Sequence, residues 1–171
     1  FDVHAPTFRH EMFADYKGTR KPMAEELRQQ VPVIKDVLRA MHIEVIEKAG
    51  LEADDLLGTL SHRCEEKGMD VSIISGDRDT LQLATEHIKI RIPKTKQGKT
   101  EVEDYYAADV QERYGVTPKE FIDVKALMGD TADNIPGVPG VGEKTATKII
   151  QQYQTIENAY EHVDELKPPR A

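Results

Sequence analysis

Eight carboxylates fall in four tight groups along the sequence: Asp2; Glu52, Asp54 and Asp55; Asp77 and Asp79; Asp130 and Asp133. Like charges gathered in one cleft raise each other's pKa and oppose folding unless cations neutralise them, so such a set demands divalent metal. Carboxylate oxygens are hard ligands and select Mg²⁺ or Mn²⁺. The chemistry this spacing suits is metal-dependent hydrolysis of a phosphodiester. Taken singly, the acids have plainer roles. Glu52, Asp54 and Asp55 would complement a helix dipole, and Asp77-Arg-Asp79 would make a solvated turn with its own ion pair. Three acids within positions 52–55 exceed what a dipole needs.

A second pattern concerns the backbone. Gly129-Asp-Thr-Ala-Asp-Asn134 runs into Ile135-Pro-Gly-Val-Pro-Gly-Val-Gly142 and then into the helical Glu143–Ile150. A Gly-x-Gly turn leading into a helix offers backbone N–H groups to a phosphate, and Lys144 and Lys148 would reinforce the contact. The plainer alternative is a helix–helix connection with Gly142 near a cap. Pro139-Gly-Val-Gly142 followed by Lys-Thr-Ala fits a helix-hairpin-helix clamp on a DNA backbone better.

These residues must be held by elements that hydrophobic periodicity makes visible. Ile43–Glu47 reads as a short strand, Leu56–Lys67 as a helix closed by Gly68, and Val71–Ser75 as a second strand. Upstream, Pro22–Met41 reads as an amphipathic helix with Leu27, Val31, Ile34, Val37, Leu38 and Met41 inward and Pro32 as a kink or restart. Downstream, His87–Ile92 and Lys99–Val102 flank a basic turn at Gly98 and read as a hairpin. Lys94, Lys96 and Lys99 are most simply its solvated tip, with DNA contact a minor alternative. The alternation implies an α/β fold with a parallel sheet, and Asp77 and Asp79 leave the carboxyl end of a strand, where such sheets bind ligands. From about Ala107 short helices and glycine-proline turns take over. The expected division is an α/β core over 1–112 and a small helical module over 113–171, with a soft boundary near Gln111–Gly115.

Composition narrows the classes. The 171 residues carry a net charge of −8, which by itself argues against a polyanion partner. Setting aside the eight clustered acids gives −8 + 8 = 0, so a bound metal would leave a balanced surface with room for basic patches. Cys64 is the only cysteine, which excludes a disulfide framework and a thiolate metal site and suits a cytoplasmic protein. No apolar run reaches membrane-spanning length, and the first residues lack the regions of a signal peptide. His10, His42, His62, His87 and His162 lack paired ligand spacing and read as surface or core-edge residues. Met12, Met41, Met69 and Met128 read as packing residues.

The sequence resembles the 5′-nuclease domains of bacterial DNA polymerase I, in the flap endonuclease superfamily. The resemblance rests on Phe1-Asp2, Thr7-Phe-Arg-His-Glu11, Asp15-Tyr-Lys-Gly18 with Arg20, Glu52-Ala-Asp-Asp55, Ser75-Gly-Asp-Arg-Asp79, Leu127-Met-Gly-Asp130, Asp133-Asn-Ile-Pro-Gly137 and Gly140-Val-Gly-Glu-Lys-Thr-Ala146, in family order over nearly the whole chain. It implies a PIN-like, Rossmann-like nuclease core followed by a helix-hairpin-helix module. It also implies that all eight acids serve a site for two metal ions, Mg²⁺ or Mn²⁺, held about 4 Å apart. Arg9–Lys21 would begin the helical arch, near residues 9–30, that admits a 5′ single strand. Lys17 and Arg20 would act on the scissile phosphate, Tyr16 would stack a base, and Arg9 would join them in binding DNA. Gly137, Gly140, Gly142, Lys144, Thr145 and Lys148 would grip the duplex, with K⁺ at the hairpin. The implied activity is 5′-3′ exonuclease and 5′-flap endonuclease cleavage of DNA recognised by shape, in replication and repair, with polymerase domains in the same parent chain.

Family members carry a strand before Phe1 with one more ligand aspartate, and helices after Ala171. The chain therefore reads as a fragment whose sheet lacks a strand, and an exposed sheet edge makes a homodimer an expectation. Two function classes follow: a metal-dependent nuclease, and a DNA-binding fragment with an incomplete, inactive metal site. A phosphatase-like phosphohydrolase would explain strand-end acids but not the clamp.

Overall fold

The structure, a computed structural model, describes residues 1–96 and 98–166 and divides into two compact units. One unit comprises Phe1–Leu56 with Ala132–Ile135; the other comprises Leu57–Thr131 with the described residues from Pro136 onward.

The first unit holds α1 (Phe8–Met12), α2 (Glu25–Ala40) and the opening turn of α3 (Ala53–Glu65). The strand expected at Ile43–Glu47 does not form. A short apolar run becomes a strand only where a neighbour completes its ladder, and no described strand pairs with this one. The helix expected from Pro22 exists over the shorter span of α2, but its apolar stripe does not point into a core: no α2 residue is buried, and Leu27, Ile34, Val37 and Met41 are exposed. Pro32 neither breaks nor restarts it. Its fixed φ suits a helix, and the missing N–H forfeits one bond on a solvated surface. The segment expected to open a helical arch is the five-residue α1 followed by turns.

The second unit contains the core. β1 (Val71–Ile74) pairs in parallel with β2 (Ile88–Lys96), which pairs antiparallel with β3 (Lys99–Tyr105), so the sheet is mixed and three-stranded. Ile88, Ile90 and Ile92 alternate onto one buried face, as a strand period of two requires. Against that face lie Leu81 from the 3₁₀ turn Arg78–Leu83, Val110 from α4 (Ala107–Tyr114), Phe121 and Val124 from α5 (Pro118–Met128), and Ala146 and Ile150 from α6 (Glu143–Tyr153). α7 (Ile156–Glu161) follows. Local chemistry fixes the joints. Gly115 ends α4 in the left-handed region at φ 72°, and Thr117 and Glu120 form a capping box around Pro118 at the start of α5.

Of the four methionines expected to pack, Met128 lies against the core, whereas Met12, Met41 and Met69 are exposed. At the hairpin tip Lys94 pairs with Glu103 at 2.6 Å and Lys99 is exposed; the Lys96 side chain lies outside the described residues. No described helix is long and apolar enough to cross a membrane.

Candidate metal and phosphate sites

In the first unit, residues from four segments converge. The opening turn of α3 supplies Glu52, Asp54 and Asp55, the N-terminal segment Asp2, the turn after α1 Tyr16, Lys17 and Arg20, and Ala132–Ile135 supplies Asp133. Glu52 is buried, and its two oxygens are divided between neighbours: Oε1 accepts from Lys17 Nζ at 2.8 Å and Oε2 from the Tyr16 hydroxyl at 3.0 Å. The same hydroxyl lies 3.1 Å from Asp133 Oδ2, while Arg20 Nη2 donates to Asp133 Oδ1. One phenolic proton serves only one acceptor at a time. The two carboxylates around it therefore need Lys17 and Arg20 as counterions.

The backbone holds this arrangement as firmly as the side chains. Lys17 sits in the left-handed region at φ 56° and donates its N–H to the Asp133 carbonyl at 2.8 Å. Arg20 Nε donates to the Ala132 carbonyl at 3.1 Å, and Asn134 Nδ2 to the Asp15 carbonyl at 2.8 Å. A side chain larger than glycine in that region is uncommon and persists where surrounding contacts determine it.

Arg9 grips Asp55 through two parallel bonds, Nη1 to Oδ2 at 2.9 Å and Nη2 to Oδ1 at 2.8 Å. This pairing holds the Asp55 carboxyl below the usual carboxylate range, against the opposing effect of burial. Asp55 Oδ2 also accepts the Glu52 N–H at 2.8 Å, and Asp2 Oδ1 accepts the Ala53 N–H at 2.6 Å. Asp54 is exposed on the same turn. Burial, then the bond to Glu52, raises the Tyr16 phenol far above its ordinary value, so it remains a proton donor. Tyr16 is only 5% exposed, and its hydroxyl is what meets the two carboxylates.

The second unit contains the other three acids. β1 delivers Asp77 beyond its carboxyl end, where Oδ1 accepts the Asp79 N–H at 2.9 Å and caps the 3₁₀ turn. Lys125, near the end of α5, bridges Asp79 Oδ1 and Asp130 Oδ2 at 2.9 Å each. Burial raises the Asp79 carboxyl, and the Lys125 ammonium partly offsets the shift. Burial works against that ammonium, but its bonds to Asp130 and Asp79 prevail and raise it. Lys125 carried no sequence signal as a lone lysine on an amphipathic helix; its role appears only once α5 places it between two distant acids.

The donors gathered in both units are hard carboxylate oxygens, the chemistry a divalent ion requires. Protein cations pair with Glu52, Asp55, Asp133, Asp79 and Asp130, and among the described residues no three His, Cys, Asp or Glu side chains stand close enough to enclose an ion. The donor chemistry suits a divalent ion, with ammonium and guanidinium groups now beside those carboxylates.

The expected clamp lies between α5 and α6. The chain leaves α5 at Gly129, and Val138 N–H returns to the Leu127 carbonyl at 2.8 Å. A Cβ on Gly137 would lie 2.3 Å from the Met128 carbonyl carbon, so this glycine is required by packing. Gly140 requires its freedom for a different reason, φ 78°. Gly142 caps α6 with extended backbone, and a Cβ there would meet nothing within 4 Å. Packing among the described residues does not call for glycine at 142. Gly142, Lys144, Thr145 and Lys148 are all exposed.

Residues 1–115 match the family described as 5′-3′ exonuclease, N-terminal resolvase-like domain, and residues 116–171 match 5′-3′ exonuclease, C-terminal SAM fold. DNA polymerase I of Bacillus caldotenax is 49% identical over 98% of this chain, and that of Bacillus subtilis is 47% identical over 97%. The chain spans 19% of the length of each. Among solved structures, T5 5′-exonuclease with zinc ions superposes with a TM-score of 0.80 at 27% identity, covering 99% of this chain and 64% of that one. The T5 D15 flap endonuclease in a complex with DNA and metal ions gives 0.76 at 27% identity, covering 99% and 63%. The catalytic core of Rad2 with DNA shares the fold, with a TM-score of 0.63 at 17% identity over 94% of this chain and 48% of that one. The chain belongs to the 5′-3′ exonuclease family.

Proposed function

We propose that this chain is the nuclease part of a larger DNA polymerase and hydrolyses DNA phosphodiesters at a 5′ end or flap with divalent metal, in the cytoplasm. The observation that carries the reading is the interleaving of carboxylates and cations within each unit: Glu52 with Lys17, Asp133 with Arg20, Asp55 with Arg9, and Asp79 and Asp130 with Lys125. A fold stabilised by packing alone has no use for so many charges at partly buried positions, whereas phosphoryl chemistry needs both signs: acids to hold cations and bases to hold phosphate. T5 relatives solved with metal and DNA support the same reading.

Asp2, Glu52, Asp54, Asp55, Asp77, Asp79, Asp130 and Asp133 would hold Mg²⁺ or Mn²⁺, two ions in all. Those ions would supply positive charge against the charge that develops on the phosphate oxygens and make water a better nucleophile. Lys17 and Arg20 would bind the scissile phosphate and Arg9 would orient Asp55. Gly137, Gly140, Gly142, Lys144, Thr145 and Lys148 would hold the duplex through its backbone, independent of sequence, with K⁺ in the hairpin. The working division remains an α/β core over 1–112 and a helical module over 113–171.

The test is release of a labelled 5′ flap by this chain with Mg²⁺, with EDTA and with Asp54→Asn. Metal-dependent release that Asp54→Asn abolishes supports the reading. Flap binding without cleavage under all conditions would favour the second reading, a DNA-binding fragment, which the internal neutralisation of its acids also suits.

A further inference from the structure

We infer that Glu52 and Asp133 hold Lys17 and Arg20 in reserve, and that these two bases pass to a DNA phosphate when a divalent cation takes the carboxylate oxygens. The inference rests on the metal-dependent reading above and adds to it a coupling: metal and DNA reinforce each other's binding through two ion pairs.

Without metal the pairs in the first unit cancel, Glu52, Asp55 and Asp133 against Lys17, Arg9 and Arg20, while Asp2 and Asp54 of the same unit add two negative charges. A base bonded to a carboxylate at 2.8 Å, as Lys17 is, has little attraction left for phosphate. A hard divalent ion competes for the same oxygens and adds two positive charges. The two added charges offset those of Asp2 and Asp54, so the released ammonium and guanidinium no longer face excess carboxylate and can meet a phosphate.

The structure also shows what is free to move. The Lys17 and Arg20 backbones are fixed, one by its N–H on the Asp133 carbonyl and the other by its N–H on the Lys17 carbonyl, but their side chains are partly or largely exposed. Lys17 leaves by giving up its bond to Glu52, and Arg20 by giving up Asp133 and the Ala132 carbonyl. Tyr16 differs: it is buried, bonded to both acids and uncharged near neutrality, so it keeps Glu52 and Asp133 adjacent when their counterions leave. Arg9, bidentate on Asp55, stays in place. Because linkage is reciprocal, DNA that captures Lys17 and Arg20 must tighten metal binding by the same factor.

The experiment uses the 171-residue chain, Ca²⁺ as a hard oxygen-seeking ion and a labelled single-stranded oligonucleotide. DNA affinity is measured against salt in EDTA and in Ca²⁺, with each variant compared with the unaltered chain at the same ion concentration so that screening by Ca²⁺ cancels. In EDTA Lys17→Ala and Arg20→Ala should lose less DNA affinity than in Ca²⁺, only what the uncovered Glu52 or Asp133 charge repels. In Ca²⁺ each should bind severalfold more weakly, with a slope of log K on log salt shallower by about 0.7–0.9. Without DNA, both variants should bind Ca²⁺ severalfold more tightly by calorimetry, because a competing cation is gone. Glu52→Gln, its fold verified by circular dichroism, should raise DNA affinity in EDTA by releasing Lys17. Equal losses for Lys17→Ala in EDTA and Ca²⁺, or no loss in either, would overturn the handover while leaving metal binding intact. Absence of Ca²⁺ binding to the unaltered chain would instead remove the metal reading on which it rests.

Discussion

Arg9 and Asp55 meet as two planar groups joined by parallel hydrogen bonds of 2.9 and 2.8 Å, which fixes the first turn of α3 to α1. The pair lowers the Asp55 pKa, chiefly through those bonds. A carboxylate with a depressed folded-state pKa contributes stability above its unfolded value of about 3.9 and loses it as pH falls through the folded value. Arg9→Met should therefore cost about 1–2 kcal/mol near neutrality, between an exposed pair and a buried one. The deficit should shrink as pH drops through and below the carboxylate range. Urea midpoints in EDTA across pH measure it. A deficit independent of pH would show that Arg9 acts by covering the Phe8 ring, 4.6 Å away, rather than through charge.

Tyr16→Phe removes one oxygen from a buried position where two carboxylates depend on it. A buried hydrogen bond to a charged group is worth about 1.5–3 kcal/mol, and its loss leaves an acceptor unsatisfied. The variant should melt several degrees lower in EDTA, since each kcal/mol moves Tm by about 2–4 °C at this size. Added Ca²⁺ should recover part of the loss by neutralising the two carboxylates that the hydroxyl had served. An unchanged Tm would mean that Lys17 and Arg20 alone hold the acids.

The acids proposed for these sites stand out in the sequence because acids repeated at such spacing have few structural uses. The strands β1 and β2 and the helices after Ala107 were equally legible, since Ile88, Ile90 and Ile92 alternate and Gly115, Thr117 and Pro118 punctuate, but the parallel pairing of β1 with β2 was not. What could not be read was partnership. Ile43–Glu47 has strand composition but no ladder, and α2 has an amphipathic stripe but no core to face. Periodicity reports what a segment can bury and is silent on what is present to bury it. The same holds for the cations: Lys17 and Arg20 stand out in the sequence as phosphate-binding candidates, and only the fold shows them on Glu52 and Asp133.

Lys125 and the two carboxylates it bridges provide a test in the second unit. Lys125→Met keeps the length and apolar stem of the side chain and deletes its charge. Asp79 and Asp130 then lose the cation that they share at 2.9 Å, and burial already disfavours ionised Asp79. Removal of one partner from a partly buried pair should cost about 1–3 kcal/mol in EDTA. Mg²⁺ should restore more stability to the variant than it adds to the unaltered chain, because the vacated oxygens offer it a better site. Thermal unfolding with and without Mg²⁺ decides it; an equal deficit under both conditions would make Lys125 a packing residue.

Gly137 and Gly142 separate architecture from recognition. Gly137→Ala would place a Cβ 2.3–2.6 Å from backbone atoms of Met128 and Gly129, which cannot retreat without moving the end of α5, so a loss of about 3 kcal/mol or more is expected. Gly142→Ala meets open space and an extended backbone, and its only structural cost is a poorer N-cap on α6, at most about 1 kcal/mol. If a phosphate approaches the exposed N–H groups at the start of α6, that added methyl should still weaken duplex binding severalfold, and to the same degree for unrelated sequences. Circular dichroism and duplex titration on both variants separate the two effects. A folded Gly142→Ala chain with undiminished duplex affinity would reduce the segment after Gly137 to a connection between α5 and α6 and place the duplex contact elsewhere.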